Sequence, residues 1–124
     1  MSKVQRTDIY RKYGGRCAYC GRIISLEDMQ IDHLVPKYRT LSDADLRELG
    51  KQRGSDDIDN LMPACRPCNY RKGALSLEDF RNALQRGQIC CRRDFTYRMM
   101  VQYGLVVEMP AEVVFYFEKK DKRK

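Results

Sequence analysis

The sequence predicts a small α+β fold that contains a structural zinc site and continues into a C-terminal extension of helices and strands. Three observations support this prediction. The chain has 124 residues, which is the length of a single domain. Some short stretches favour helices and others favour strands, and glycine or proline separates them. Two cysteine pairs with the spacing of metal ligands flank its central part.

The composition is that of a globular protein, with 43% hydrophobic and 33% charged residues. The net charge of +7 is only a weak indication of a polyanionic partner such as DNA. A single histidine excludes any mechanism that needs two. The first residues are polar and no stretch is long and apolar enough to span a membrane, so we expect no membrane association and a cytoplasmic, intracellular location. Paired cysteines in that compartment more often bind metal than form disulfides.

The first third of the chain predicts a helix, a tight loop and a hairpin. Residues 4–13 favour a helix that ends at Gly14 and Gly15. Residues 17–21 then form a tight loop. Residues 23–24 and 29–33 are expected to pair as a short hairpin, which Pro36 ends.

The central segment predicts one capped helix and one loop. Ser42, with Asp45 at the reciprocal position, is expected to cap a helix over residues 43–51 that buries Leu46 and Leu49 and ends at Gly54. Residues 59–63 are expected to form a loop. A further short helix is expected from position 69.

The C-terminal fifty residues predict an extension packed on the core, so we divide the chain into a core of residues 1–73 and an extension of residues 74–124. Ser76 and Asp79 start a helix that Gly87 is expected to end. Residues 93–103 predict another helix, residues 105–107 and 113–117 predict strands, and residues 119–124 form a basic tail. The apolar side chains expected to pack this extension are Phe80, Leu84, Phe95, Tyr97, Met99, Met100, Tyr103, Leu105, Val107, Val113, Phe115 and Phe117.

The cysteines predict a four-thiolate metal site. Cys17 and Cys20 form one C-x2-C pair, and Cys65 and Cys68 form another. Four thiolates complete the tetrahedral shell of a structural Zn²⁺ and leave no position for water. The 44 residues between the pairs exceed the spacing of a compact zinc ribbon, so this insert has another role. The alternative is four buried thiols without a ligand.

Two further cysteines, Cys90 and Cys91, lack partners at metal-ligand spacing. Because adjacent residues point apart in a helix or strand, we expect them to be packing residues.

Asp32 and His33 stand between the cysteine pairs, where a strand is expected to end. A neutral imidazole can accept a proton from water, and a carboxylate can hold a hard cation. With its surroundings, this pair resembles the His-Asn-His (HNH) endonucleases. The resemblance covers about residues 10–73 and rests on the string Cys17-x2-Cys20 … Asp32-His33-x2-Pro36 … Asp59-Asn60-Leu61 … Cys65-x2-Cys68-Asn69-x2-Lys72.

The resemblance implies a ββα-metal core, a treble-clef-like arrangement of a hairpin and a helix with zinc between two knuckles. It implies that His33 is the general base and that Asn60 ties its loop to the hairpin. Asn69 stands where the last histidine of the motif usually lies, which makes this a His-Asn-Asn variant. Asp32 and Asn69 would then hold the catalytic cation. Alternatively, Asn69 only caps the helix that follows Cys68.

Hard oxygen ligands favour Mg²⁺ or Mn²⁺ over Zn²⁺ at the catalytic position. The function expected from the resemblance is a metal-dependent DNA endonuclease of bacterial or phage type, which hydrolyses phosphodiester bonds. Arg66, Arg71 and Lys72 would contact backbone phosphates. The alternative is a zinc-stabilised module that binds nucleic acid without cleaving it. The sequence leaves open whether the protein is a monomer or a homodimer.

Overall fold

The computed structural model describes residues 4–121, in which two short strands, six α-helices and one short 3-10 helix form a small α+β fold. A single antiparallel strand pair lies at its centre, and a helix follows the second strand directly. None of the helices within residues 4–121 is long and apolar enough to cross a bilayer. The elements are α1 (Arg6–Arg11), β1 (Gln30–His33), α2 (Asp43–Leu49), β2 (Leu61–Ala64), α3 (Arg66–Lys72), α4 (Leu77–Cys91), α5 (Phe95–Gln102) and α6 (Tyr116–Asp121).

The strand pairing differs from the sequence prediction. Strand β1 pairs with β2, with His33 opposite Leu61, and not with residues 23–24. Ile23 instead forms an isolated bridge with Arg16. Residues 59–63, predicted as a loop, instead divide between a short 3-10 helix (Ile58–Asn60) and strand β2, which contains Pro63. The carbonyl of Pro63 faces away from β1 and accepts a hydrogen bond from the Ala18 amide (2.8 Å), so the missing amide hydrogen lies on the outer edge.

Helix α2 confirms the predicted cap but ends earlier than expected. The Ser42 hydroxyl accepts from the Asp45 amide, and the Asp45 carboxylate accepts from the Ser42 amide. The helix ends at Gly50, which has a left-handed φ of +69°, and not at Gly54. Leu49 is consequently exposed rather than buried.

Gly54 has a different role from the predicted helix end. Its amide donates to the carbonyl of Pro36 (2.9 Å), which brings two backbone segments together. A Cβ at this position would lie 1.7 Å from the carbonyl oxygen of Val35 and 2.9 Å from Nδ2 of Asn60. Only glycine permits this approach, which closes the central segment against the end of β1.

Helix α3 starts three residues before the predicted position. Cys65 is its N-cap residue and Pro67 lies in its first turn. Asn69 is therefore inside the helix, so the alternative that it caps the helix is wrong. The start at Arg66 places both Cys65 and Cys68 in the first turn of the helix.

The C-terminal segment packs on the core through fewer residues than predicted. Helix α4 continues through Gly87, and within residues 4–121 the predicted strands at 105–107 and 113–117 do not form. Of the twelve apolar residues expected to pack the extension, Phe80, Phe115 and Phe117 are buried. Others are exposed, namely Leu84, Phe95, Tyr103, Leu105 and Val107.

For the C-terminal segment, the prediction about Cys90 and Cys91 is wrong and the prediction of a second helix is confirmed. Cys90 and Cys91 are both exposed near the end of α4, so the prediction that they pack inside the protein is wrong. The predicted second helix forms as α5, with the Asp94 side chain accepting from the Tyr97 amide. Positions 122–124 of the predicted basic tail lie outside the described residues.

A single cluster of buried side chains joins the strand pair, the first cysteine loop and the C-terminal segment. Tyr19 lies at its centre, with its ring edge-on to Phe80, Phe115 and Phe117 at centroid distances of 5.5–6.0 Å. The members of the cluster are Ile9, Cys17, Ala18, Tyr19, Ile24, Met29, Leu61, Met62, Ala64, Cys65, Phe80, Phe115 and Phe117.

Candidate metal centre and active site

The four predicted cysteine ligands converge on one point. The sulfur atoms of Cys17, Cys20, Cys65 and Cys68 all lie within 4.8 Å of one another. Cys20 Sγ and Cys65 Sγ are 3.8 Å apart, which is too long for a disulfide. When four sulfur atoms surround zinc as a tetrahedron with Zn–S bonds of about 2.3 Å, neighbouring sulfur atoms lie about 3.8 Å apart, which equals this distance. The donor set and its size therefore fit a tetrahedral zinc ion.

Local backbone geometry forms the first cysteine loop. The Cys17 amide donates to Arg22 O (2.8 Å), and the Gly21 amide donates to Cys17 O (3.0 Å), which closes a tight turn. Gly21 has a left-handed φ of +80°, a conformation that glycine adopts without strain. The Tyr19 amide points at Cys17 Sγ (3.4 Å), so the backbone stabilises negative charge on this sulfur.

The proximity of the thiols perturbs their ionisation. A hydrogen bond from Cys68 is the largest cause that lowers the pKa of Cys17, to about 4. The same hydrogen bond raises the pKa of Cys68, because ionisation would remove the donor and place a second charge beside the first. The four thiols therefore cannot all ionise together without a cation between them, and a divalent metal ion would remove this conflict.

The predicted base, His33, contacts an acidic residue that the sequence analysis did not identify. Nε2 of His33 lies 2.8 Å from Oδ1 of Asp56, and Lys37 Nζ lies 2.8 Å from Oδ2. Hydrogen bonds from Lys37 and then from His33 lower the pKa of Asp56 to about 2. The carboxylate is thus ionised at neutral pH and can only accept hydrogen bonds. Nε2 of a neutral His33 is therefore the donor, and Nδ1 carries the free lone pair.

Asn60 holds two segments of backbone together beside this pair. Its Oδ1 accepts from the Val35 amide (2.8 Å), and its Nδ2 donates to Val35 O (3.0 Å) and Ser55 O (2.8 Å). Its backbone carbonyl accepts from the Leu34 amide (2.9 Å). These bonds fix the chain just after His33 to the loop that carries Asp56.

Asp32, next to His33 on β1, is buried and only 5% exposed. Its Oδ2 accepts a hydrogen bond from the Tyr19 hydroxyl and forms an ion pair with Lys72 Nζ (3.0 Å). Lys72 also donates to the backbone carbonyl of His33 (2.9 Å). Burial, and then the charge of Asp32, raises the pKa of Tyr19 far above its usual value, so the hydroxyl stays a donor.

An open pocket of about 380 Å³ brings three predicted site residues together. Asp32, His33 and Asn69 line one side of it, and residues 36–40 line another. Within residues 4–121, no hydrogen bond engages the Asn69 side chain, and both contacts of the Asp32 carboxylate fall on Oδ2. The pocket therefore offers free oxygen donors from a carboxylate and an amide, which suit Mg²⁺ or Mn²⁺.

The predicted DNA contacts divide into two groups. Arg66 and Arg71 are exposed on α3, where they can reach a phosphate. Lys72 is 1% exposed and paired with Asp32, so its prediction as a direct phosphate contact is wrong for this structure. Arg39, which the sequence analysis did not single out, is exposed at the pocket, and no ion pair engages it in the described part of the chain.

Spacing alone could not have identified Asp56, Tyr19 or Arg39. Asp56 reaches His33 across 23 residues, and Tyr19 reaches Asp32 across 13. For Tyr19 alone the sequence contained a signal. Tyr19 lies between Cys17 and Cys20, so the two cysteines constrain its position.

The chain is similar in sequence to known proteins. A family model described as HNH endonuclease matches residues 17–75. The CRISPR-associated endonuclease Cas9 of Corynebacterium diphtheriae is 28% identical over 78 residues, which cover 59% of this chain and 6% of that protein. YoqL of Bacillus subtilis, an SPbeta prophage-derived candidate HNH endonuclease, is 31% identical over 72 residues, which cover 57% of this chain and 29% of YoqL.

A solved structure is also similar. The Type II-C Cas9 enzyme from Actinomyces naeslundii has a TM-score of 0.48 and 25% sequence identity, over 62% of this chain and 7% of that one. The chain thus spans less than a third of the length of each of these three proteins. The family match covers both cysteine pairs and every residue of the strand pair and α3. Residues 17–75 of this chain therefore match the HNH endonuclease family.

Proposed function

We propose that the protein is a metal-dependent DNA endonuclease in which His33 is the general base. The observation that carries the proposal is the convergence of Asp32, His33 and Asn69 on one open pocket. Two oxygen ligands suffice for Mg²⁺ or Mn²⁺, because such cations retain several waters and bind substrate phosphate. The chemistry that the cation supplies when bound is stabilisation of negative charge on the scissile phosphate and the leaving oxygen.

His33 accepts a proton from the attacking water at Nδ1. Asp56 accepts the Nε2 hydrogen of the ring and thereby selects the tautomer with a basic Nδ1. Asn60 fixes the backbone that follows His33, so the ring keeps its place relative to Asp32. In this arrangement the protein residues position the water and remove its proton, and the hydrolysis needs no second histidine.

The four-cysteine site has a structural role in this proposal. Cys17, Cys20, Cys65 and Cys68 would hold one Zn²⁺, and four thiolates would leave no position for water or substrate. The site joins the first cysteine loop to the start of α3, and α3 carries Asn69. The ion therefore sets the position of a catalytic ligand while taking no part in the chemistry.

Exposed arginines on α3 and at the pocket favour a nucleic-acid substrate. Arg66 and Arg71 on α3 and Arg39 at the pocket can contact phosphates, which gives affinity without reading sequence. One pocket with one cation cleaves one strand, so a nick is the expected primary product. The extension of residues 74–124 acts as part of the same unit, since Phe80, Phe115 and Phe117 pack around Tyr19.

A plasmid-nicking assay tests the proposal. The zinc-loaded protein, with Mg²⁺ or Mn²⁺, is expected to convert supercoiled plasmid to open circles. His33→Ala should lower the single-turnover rate by about 10²–10⁴-fold, the usual contribution of a general base, while zinc content and the melting temperature stay near those of the wild type. DNA binding without nicking by the wild type would favour a non-catalytic module, and wild-type rates in His33→Ala would contradict the role of His33.

A further inference from the structure

The carboxylate of Asp32 is held by one hydrogen bond and one ion pair. The Tyr19 hydroxyl and Lys72 Nζ both bind Oδ2, and the side chains of Asp32 and Lys72 are 5% and 0% exposed. A buried carboxylate with a hydrogen bond and an ion pair on the same oxygen has little freedom to rotate. In the described part of the chain its other oxygen, Oδ1, has no protein partner, and Asp32 lines the pocket that His33 and Asn69 share.

Tyr19 is itself fixed at both ends. It lies between Cys17 and Cys20, and its amide points at Cys17 Sγ (3.4 Å). Its carbonyl accepts from the Tyr116 amide (3.0 Å), and its ring packs edge-on against three phenylalanines of the C-terminal segment. The position of its hydroxyl is therefore determined by the first cysteine loop and by the C-terminal segment together.

We propose that Tyr19 is a positioning residue, which with Lys72 holds the Asp32 carboxylate so that Oδ1 meets the catalytic cation in a preset orientation. The inference rests on the proposed function and adds a direct connection between the two metal sites. The cysteine loop that surrounds the structural zinc also carries the donor that orients a ligand of the catalytic cation. Residues that orient a metal ligand in this way typically contribute about 10- to 100-fold to metal affinity.

Tyr19→Phe tests the inference, because it removes the hydroxyl and keeps the ring that packs in the core. Mn²⁺ binding to zinc-loaded protein is measured by isothermal titration calorimetry without DNA. The relevant binding event is the one that Asn69→Ala abolishes, since Asn69 is a proposed ligand whose side chain makes no hydrogen bond among the described residues. Tyr19→Phe is expected to weaken this event by about 10- to 100-fold while retaining one zinc per chain.

Tyr10→Phe is the matched control. Its hydroxyl donates to Ile24 O (2.7 Å), and its ring packs against the same core, but it does not contact Asp32. Its Mn²⁺ affinity should equal that of the wild type. In the nicking assay, Tyr19→Phe should need a higher Mn²⁺ concentration for half-maximal rate and approach the wild-type rate at saturating Mn²⁺. A general loss of stability would not raise the required Mn²⁺ concentration while leaving the rate at saturation unchanged.

The outcomes separate this inference from the function it rests on. If the wild type binds Mn²⁺ through Asn69 and Tyr19→Phe binds it equally well, the positioning role is wrong and the proposed function stands. If Tyr19→Phe loses zinc or unfolds, the hydroxyl supports the cysteine loop and not Asp32, and the inference is again overturned. If the wild type has no Mn²⁺ binding event that Asn69→Ala removes, the proposed function fails together with it.

Discussion

His33 and Asp56 are separated by 22 intervening residues, yet Nε2 of the imidazole lies 2.8 Å from Oδ1 of the carboxylate. Asp56 is also paired with Lys37, which contributes most to its low pKa. A group whose pKa is lowered on folding contributes fully above its unfolded pKa of about 3.9, and the contribution is lost as the pH falls through its folded pKa. For Asp56 the folded pKa is about 2, so the contact with His33 is present throughout the neutral range.

Asp56→Ala is therefore expected to reduce catalysis. Without the acceptor at Nε2, the imidazole loses the preference for the tautomer with a basic Nδ1, and its orientation relaxes. The loss of this charge-assisted hydrogen bond is expected to lower the rate by about tenfold or more. Single-turnover nicking rates at saturating protein measure the effect without a contribution from DNA affinity.

Asp57→Ala is the control for that experiment. Asp57 is exposed next to Asp56, and its side chain makes no capping hydrogen bond. Both variants remove one negative charge from the same loop, so an equal change in rate would attribute the effect to charge and contradict a specific role for the contact with His33.

Cys65→Ser is expected to lose zinc and destabilise the fold together. Cys65 is both a member of the sulfur cluster and the N-cap residue of α3, so the loss of the ion would release the helix that carries Asn69. Zinc per chain by elemental analysis and the midpoint of thermal unfolding measure the two effects. A strong chelator should lower the wild-type midpoint in the same way.

Cys90→Ser should change neither quantity. Cys90 is exposed on α4 and does not belong to the sulfur cluster. A stable, zinc-free Cys65→Ser protein, or zinc loss in Cys90→Ser, would contradict a structural zinc at the four predicted cysteines.

Gly54→Ala and Gly87→Ala are expected to change the free energy of unfolding in opposite directions. The added methyl at Gly54 would collide with the backbone of Val35, and forcing the segments apart should cost about 1–3 kcal/mol. Gly87 lies inside α4, and a Cβ there would meet no neighbouring atom within 4 Å, so alanine should stabilise the protein by about 0.5–1 kcal/mol. Denaturant unfolding of both variants measures the difference, and equal effects would contradict the close approach at Gly54.

The sequence by itself determined the features that depend on local geometry. A C-x2-C loop brings two thiolates within reach of one metal whatever surrounds it, so the convergence of Cys17, Cys20, Cys65 and Cys68 was predictable from spacing. The capping box at Ser42 was predictable for the same reason, because both hydrogen bonds span three residues. The order of Asp32, His33, Asn60 and Asn69 likewise predicted the family that the comparison confirms.

Only the tertiary structure decided which distant segments meet. Strand β1 pairs with β2, and the segment between them, which contains α2, returns to the end of β1 at Gly54. The local pattern at residues 23–24 predicted a different partner for β1 and could not reveal this pairing. The same folding buries Lys72 against Asp32 and brings Asp56 to His33. A basic residue on a short helix is expected at the surface, and burial becomes favourable only when a buried carboxylate compensates the charge. Lys72 and Asp32 are 40 residues apart along the chain, and His33 and Asp56 are 23 residues apart. No local pattern in the sequence encodes contacts over such separations.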